Sequence, residues 1–223
     1  MGTTLLFSFF LFSDFLYRCL YFPSIVMAPK ILIYPFCHLT YVRLIVENLE
    51  NYSEWLMLEY RHCASLWKNI LFTNVKDKRM KTFLSEFTEV EHESVTEMNE
   101  KLIVLDPLAK KKLKTSDFNN VKGVVVGGIL GYDKPKGRTK KLISDKLNAK
   151  TRNIGKKQMP IDIAAFVAKM IYLGEKIENI ELTDQLEIKF DDEYSVVLPY
   201  AYPVIDNKVI VTPGLVEYLR GKE

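Results

Sequence analysis

The feature that most constrains this chain is the alternation of short aliphatic runs with helix-forming stretches between residues 42 and 172. VRLIVE (Val42 to Glu47) reads as a strand. Ser53 can N-cap a helix running to about Ile70, in which Leu56, Tyr60, Cys63, Trp67 and Ile70 form one apolar stripe. ILFTNV reads as a second strand, and 76–90 as helix or loop with a solvated acidic run at Glu89, Glu91 and Glu93. KLIVLDP is a short buried strand, Leu102 to Leu105, ended by Asp106-Pro107 because proline cannot donate to a ladder. VKGVVVGG is another strand, KGRTKKLISDKLN a basic amphipathic helix, and TRNIGKKQMP a short strand and turn. IDIAAFVAKMIYLGEK then reads as a helix with Ile163, Phe166, Val167, Met170 and Ile171 inward. The tail holds extra β segments (IELTD, LEIKF, EYSVVLPYAYPV) and a short helix after Pro213. Such alternation predicts an α/β fold: a mostly parallel sheet with helices on both faces.

In such sheets ligands bind in the crevice outside the carboxyl ends of the strands. Three loops lie at such ends here: after Leu105, after Val126, and around Ile154 to Gln158. The middle one, VVVGGILGYDKPKGRT, resembles a phosphate loop but fails on spacing. Its glycines read G-G-x-x-G, which is neither a Walker loop nor a dinucleotide fingerprint. Apolar walls with a few backbone donors and acceptors suit a purine slot better.

Composition excludes some classes. With 48% hydrophobic residues in 223, general disorder is ruled out and a sizeable core is available. The net charge of +3 neither requires nor forbids a nucleic-acid partner, since clustering matters more than the total. Basic clusters do flank the loops, at Lys110, Lys111, Lys112 and Lys114, at Lys134, Lys136, Arg138, Lys140 and Lys141, and at Lys150, Arg152, Lys156 and Lys157. Cys19, Cys37 and Cys63 are an odd count without metal-ligand spacing, and the three histidines are scattered. We therefore expect no metal site, and a cytoplasmic protein with reduced cysteines. Residues 1–40 stand apart as an apolar extension. Asp14 and Arg18 interrupt it, which argues against a membrane span, and it lacks a basic signal-type start. A weak anchor, a degenerate targeting segment and an over-long gene reading compete, and we favour the last; the domain proper is then 41–223.

VVVGGILGYDKPKGRTKKL, VLDP and TRNIGKKQMPIDIA occur in order at a spacing similar to that of the SPOUT-class methyltransferases with a trefoil knot. More narrowly, the chain resembles the branch containing the yeast SPOUT protein-arginine methyltransferase and its archaeal relatives. Glu47, Ser53-Glu54-Trp55, Glu59-Tyr60 and PGLVEYL belong to the same match, which spans Tyr41 to the C-terminus. The resemblance implies a C-terminal knot and bound S-adenosyl-L-methionine. The implied contacts are Leu105, Asp106 and Pro107; Gly127, Gly128, Ile129, Leu130 and Gly131; and Ile154, Gly155, Gln158 and Met159. It also implies a protein acceptor, a small-subunit ribosomal protein by analogy, with tRNA or rRNA as the alternative and a non-catalytic binding module as a third reading. SPOUT enzymes are usually dimers, yet the extra C-terminal segments can cover that surface, so monomer and homodimer both stay open. An acid usually follows the third glycine in this class, where this chain has Tyr132 and then Asp133.

Methyl transfer to arginine calls for carboxylates, because a guanidinium is protonated at physiological pH and must be gripped, turned and deprotonated. Glu47, Glu54, Glu59, Asp106, Asp133 and Asp162 are the candidates. Glu54 and Asp162 are explained by helix first turns, and Asp106 by its own turn. Glu47 and Asp133 are the leading catalytic expectations. Arg138 is expected to tie down the glycine loop or meet the cofactor carboxylate, and Arg152 to do likewise.

Overall fold

The computed structural model describes residues 42–131 and 136–221. The N-terminal extension, Tyr132 and Asp133 lie outside the described residues. The strands are β1 (Arg43–Asn48), β2 (Ile70–Thr73), β3 (Glu89–Val90), β4 (Leu102–Leu105), β5 (Gly123–Gly128) and β6 (Lys150–Arg152), followed by β7 (Leu186–Lys189), β8 (Ser195–Leu198), β9 (Val204–Ile205) and β10 (Lys208–Val209). The helices are α1 (Glu54–Leu66), α2 (Lys78–Ser85), α3 (Ile161–Tyr172) and α4 (Leu215–Arg220).

The first six strands form one sheet in the order β3-β2-β1-β5-β4-β6, every neighbouring pair parallel. The expected α/β class is borne out. Successive strands step outward from β1 to β3, then β4 returns to the other side and β5 is inserted between β1 and β4. This reversal of strand order is where such sheets open a crevice. Both faces are covered, and the period of two sorts the side chains. Leu44, Val46, Ile103, Val124 and Val126 join α1, α2 and α3 in one core, while Ile45, Leu71, Val104 and Val125 join a second. The second core is closed by short elements rather than long helices: a 3-10 turn at Val95–Glu97 and a π-helical turn at Lys140–Ser144. The basic helix expected over KGRTKKLISDKLN is shortened to residues 138–144; it contributes Ile143 to the core, and Leu147 follows just beyond it.

Helix α1 begins where Ser53 caps it, its hydroxyl accepting from the Leu56 amide at 3.2 Å. Leu56, Tyr60, Cys63 and Trp67 are all buried, each side chain contributing roughly 1.5–3 kcal/mol by leaving water. The helix ends at Leu66 rather than Ile70, which opens β2. Trp67 caps the end and its indole N–H donates to the Ala165 carbonyl at 3.1 Å, fastening α1 to α3. In α3, Phe166 and Met170 are only partly buried, while Asp162, Ala165 and Ala168 are inside. The helix is enclosed on two sides, so a single inward stripe underdescribes it. Glu89, Glu91 and Glu93 are exposed, as expected of a solvated run, but Glu89 lies in the edge strand β3 rather than in helix or loop.

The tail supplies two antiparallel hairpins, β7–β8 and β9–β10, and α4. They pack through Ile188, Leu198, Tyr202 and Leu215 onto Ile163 of α3. Of IELTD, only Leu182 pairs, as a bridge to Pro203.

Gly128 shows how tightly β5 is held. A Cβ there would stand 2.1 Å from the Tyr60 hydroxyl and 2.9 Å from the Glu47 carbonyl. The hydroxyl cannot retreat freely, because it donates to Asn48 Oδ1 at 2.8 Å. Gly128→Ala is therefore expected to cost about 1–3 kcal/mol through overpacking. Denaturant unfolding should show that loss, and Tyr60→Phe in the same chain should restore part of it.

Candidate active site

Three strand ends meet at the crevice beside α3. After β4, the Asp106 amide donates to the Arg152 carbonyl at 2.8 Å, and Asp106 Oδ1 accepts from the Leu108 amide at 2.9 Å. Its other oxygen accepts from Ser144 Oγ at 2.7 Å. Asp106 thereby ties its own turn to the π-helical turn, with both oxygens engaged. After β6, Asn153 does comparable work: its Nδ2 donates to Ala109 O at 2.7 Å and its Oδ1 accepts from the Gly155 amide at 3.1 Å. Its backbone also pairs with Lys111 and Leu113. The sequence reading missed Asn153, whose signal is an Asx residue two before a positive-φ glycine. Gly155 has φ +111° and nothing within 4 Å of where a Cβ would lie, so it combines a backbone shape disfavoured for other residues with open space.

The resulting cleft holds about 950 Å³ of atom-free space, part of it open to solvent. Leu105, Asp106, Pro107, Gly127, Ile129, Leu130, Gly131, Ile154, Gly155, Gln158 and Met159 all line it, as does Arg138. Gly128 does not, because Tyr60 occupies its open side. Leu108, Thr139, Ile161 and Ala164 also contribute to the wall, brought there by the fold without any local sequence signal. The C-terminal hairpins brace the cleft: the Tyr200 ring lies against Gly131, and the Ala201 amide donates to the Gln158 carbonyl at 2.8 Å.

Glu47 is placed elsewhere. Alternation along β1 puts it on the Ile45 face, away from α1 and α3. Its oxygens accept from Thr73 Oγ1 at 2.6 Å, Ser94 Oγ at 2.6 Å and the Val95 amide at 2.9 Å. It joins β1 to β2 and to the 3-10 turn, a structural employment of both oxygens. Arg138 sits in the cleft wall with Nη1 2.7 Å from Glu50 Oε1. Arg152, expected at the glycine loop, instead forks onto Asp117 at 2.6 and 2.8 Å. Against the desolvation of partial burial, bonds from Arg152 and the Lys114 backbone hold the Asp117 carboxyl below its usual range. Glu54 is exposed in the first turn of α1.

Glu59 and Asp162 form a buried acidic centre behind the cleft. Glu59 Oε1 accepts from Trp55 Nε1 at 2.6 Å and Oε2 from the Ile161 amide at 2.9 Å. α3 has no side-chain cap of its own, so Glu59 caps it from across the interface. Asp162 Oδ2 accepts from Thr212 at 2.7 Å and stands 2.6 Å from His62 Nδ1. Burial first, then repulsion from Asp162, push the Glu59 carboxyl up to about 8, despite hydrogen bonds that favour its charged form. Among the described residues no group of three or more His, Cys, Asp or Glu is arranged to hold a metal, and no helix is long and apolar enough to cross a membrane.

An all-parallel sheet with a glycine-walled, mostly apolar cleft at its strand-order reversal defines an α/β domain built to hold a nucleoside-like ligand. A family model described as "Protein arginine N-methyltransferase SFM1-like" matches residues 43–223. The chain belongs to the SFM1-like protein arginine N-methyltransferase family, as the sequence resemblance implied. It is 26% identical over 204 residues to protein arginine N-methyltransferase SFM1 of Saccharomyces cerevisiae, covering 80% of this chain and 94% of that protein. The fold is similar to yeast SFM1 complexed with SAM, with a TM-score of 0.74 and 24% identity over 81% of this chain and 91% of that one. It is similar too to yeast SFM1 complexed with MTA, at TM-score 0.69 and 23% identity, covering 79% of this chain and 99% of that one.

The raised Glu59 pKa carries a sign. The folded state holds a proton that the unfolded state releases near 4.5, so stability is fullest below that value and falls as pH rises towards about 8. Glu59→Gln removes this slope. The stability of the variant relative to the parent should rise between pH 5 and 8 by on the order of 2 kcal/mol, read from melting curves across that range.

Proposed function

We propose that this chain transfers the methyl group of S-adenosyl-L-methionine to an arginine side chain of a protein. The observation that carries the reading is the convergence of three strand-end loops on one cleft in a chain of this family. The cleft suits the cosubstrate: Leu105, Ile129, Leu130, Ile154 and Met159 offer apolar walls, and Gly155, with nothing within 4 Å of where a Cβ would lie, lets backbone approach a nucleoside closely. When bound, S-adenosyl-L-methionine supplies a sulfonium methyl: an arginine nitrogen forms the new N–C bond, the C–S electrons stay on sulfur, and the nitrogen releases a proton.

The protein's contribution is placement. Asp106 and Asn153 hold two of the loops, and Glu59 sets the start of α3, from which Ile161 and Ala164 face the cleft. Asp133 keeps the proposed role of an acid facing the acceptor. Glu47 retains no comparable support, since its oxygens are taken up on the other face. The knot implied by the resemblance is supported by the loop 106–113, which pairs with the β6 segment on both sides: Leu105 with Arg152, and Lys112 with Asn153. Tyr200 and Ala201 support a site completed within one chain, and so a monomer over a homodimer. A ribosomal small-subunit acceptor, a cytoplasmic location and a functional domain over 41–223 complete the proposal; the acceptor rests on analogy alone.

One observation favours an RNA acceptor. A second cavity across Asp106 is lined by Lys110, Lys111, Lys140 and Arg152. Yet Arg152 is neutralised by Asp117, and Lys140 is paired with Asp145, so two lysines carry the case. We prefer the protein acceptor.

Labelled S-adenosyl-L-methionine incubated with cell extract tests this. Label that survives nuclease, is lost to protease and is recovered as methylarginine is the expected result; label lost to nuclease would transfer the reading to RNA. Gly155→Ala should weaken S-adenosylhomocysteine binding about tenfold by calorimetry, because its positive φ strains any other residue.

A further inference from the structure

An acceptor guanidinium needs a carboxylate at the cleft, and most described acids near it are already employed. Asp106 has both oxygens engaged in its loop, and Glu47 is bonded on the opposite face. Glu50, which the sequence reading passed over, is differently placed. It lies in the turn leaving β1, beside the end of the glycine-bearing β5, where the Leu49 amide donates to the Gly128 carbonyl at 3.1 Å.

That turn is held firmly. The buried Asn48 donates to the Glu50 carbonyl at 3.1 Å, accepts from Tyr60 at 2.8 Å, and receives a backbone-directed bond from Asn74 at 2.7 Å. The Glu50 side chain is 22% exposed, so it is desolvated on one side and open on the other. Its Oε1 is buried and 2.7 Å from a guanidinium nitrogen, yet no hydrogen bond is aligned with that oxygen. A carboxylate held by charge without alignment is poised for a better-oriented guanidinium, since forked pairs are the stronger ones.

We infer that Glu50 is the carboxylate that grips the acceptor arginine, and that Arg138 holds it in a form the acceptor guanidinium displaces. This rests on the arginine-methylation reading above. The grip turns one acceptor nitrogen towards the cleft, and the proton it loses on N–C bond formation passes to the Glu50 carboxylate and then, through its exposed side, to solvent. The acceptor stays a cation, and the net proton goes to water.

The alternative is a purely structural tie between two loops, and it predicts that both partners fail alike. The test titrates N-acetyl-L-argininamide, followed by NMR, into the intact protein saturated with S-adenosylhomocysteine. S-adenosylhomocysteine affinity is measured separately for each variant. Glu50→Gln, which keeps the side-chain shape, should weaken argininamide binding at least tenfold while changing S-adenosylhomocysteine affinity less than twofold. Arg138→Met should strengthen argininamide binding severalfold by freeing the carboxylate. Equal weakening by both variants, or a Glu50→Gln loss confined to S-adenosylhomocysteine, would overturn the inference. In the extract assay, methylarginine formed equally by parent and Glu50→Gln overturns this inference alone. A parent that forms none overturns the arginine reading with it.

Discussion

The insertion of β5 between β1 and β4 is the constraint on which the rest of the molecule depends. Backbone hydrogen bonds on both sides of one strand reverse the strand order, and the reversal opens the cleft. The same insertion forces β5 to end against α1, where only a glycine fits beneath Tyr60. It also brings the turn after β1 beside the glycine loop, so Glu50 and Arg138 meet. Fold and site are therefore one geometric decision.

Buried polar groups then turn that geometry into a defined shape. Asn48, Asp106 and Glu59, with the half-buried Asn153, each bind backbone amides or carbonyls that fix the segments around the cleft. A buried acceptor left without its donor costs more than the bond contributes, so such residues define position more sharply than apolar packing does. The raised pKa of Glu59 is the electrostatic consequence of using an acid for that task at a buried helix start.

Much of this was legible in advance. The continuous aliphatic runs named the parallel sheet, and the G-G-x-x-G spacing excluded phosphate and marked the loop that now lines the cleft. The misses share a cause. Glu47 was read as a strand-end acid, but which face it takes depends on what covers each side of the sheet. Arg152 was read with the glycine loop, yet Asp117, 35 positions away, claimed it. Glu50 carried no local signal, since an acid after a strand is ordinarily a solvated one.

The sequence alone determined the central strands β1, β2, β4, β5 and β6, the helix α1 with its Ser53 cap, and the glycines that keep the loops thin. These follow from side-chain branching, hydrophobic period and the missing Cβ, all of which act within a few residues. Tertiary structure decided which acids are buried and occupied, which guanidinium meets which carboxylate, and how the C-terminal hairpins close the cleft. Those outcomes hang on contacts between residues as far apart as Glu59 and Ile161, and charge placement over such a separation is fixed only when the chain has folded.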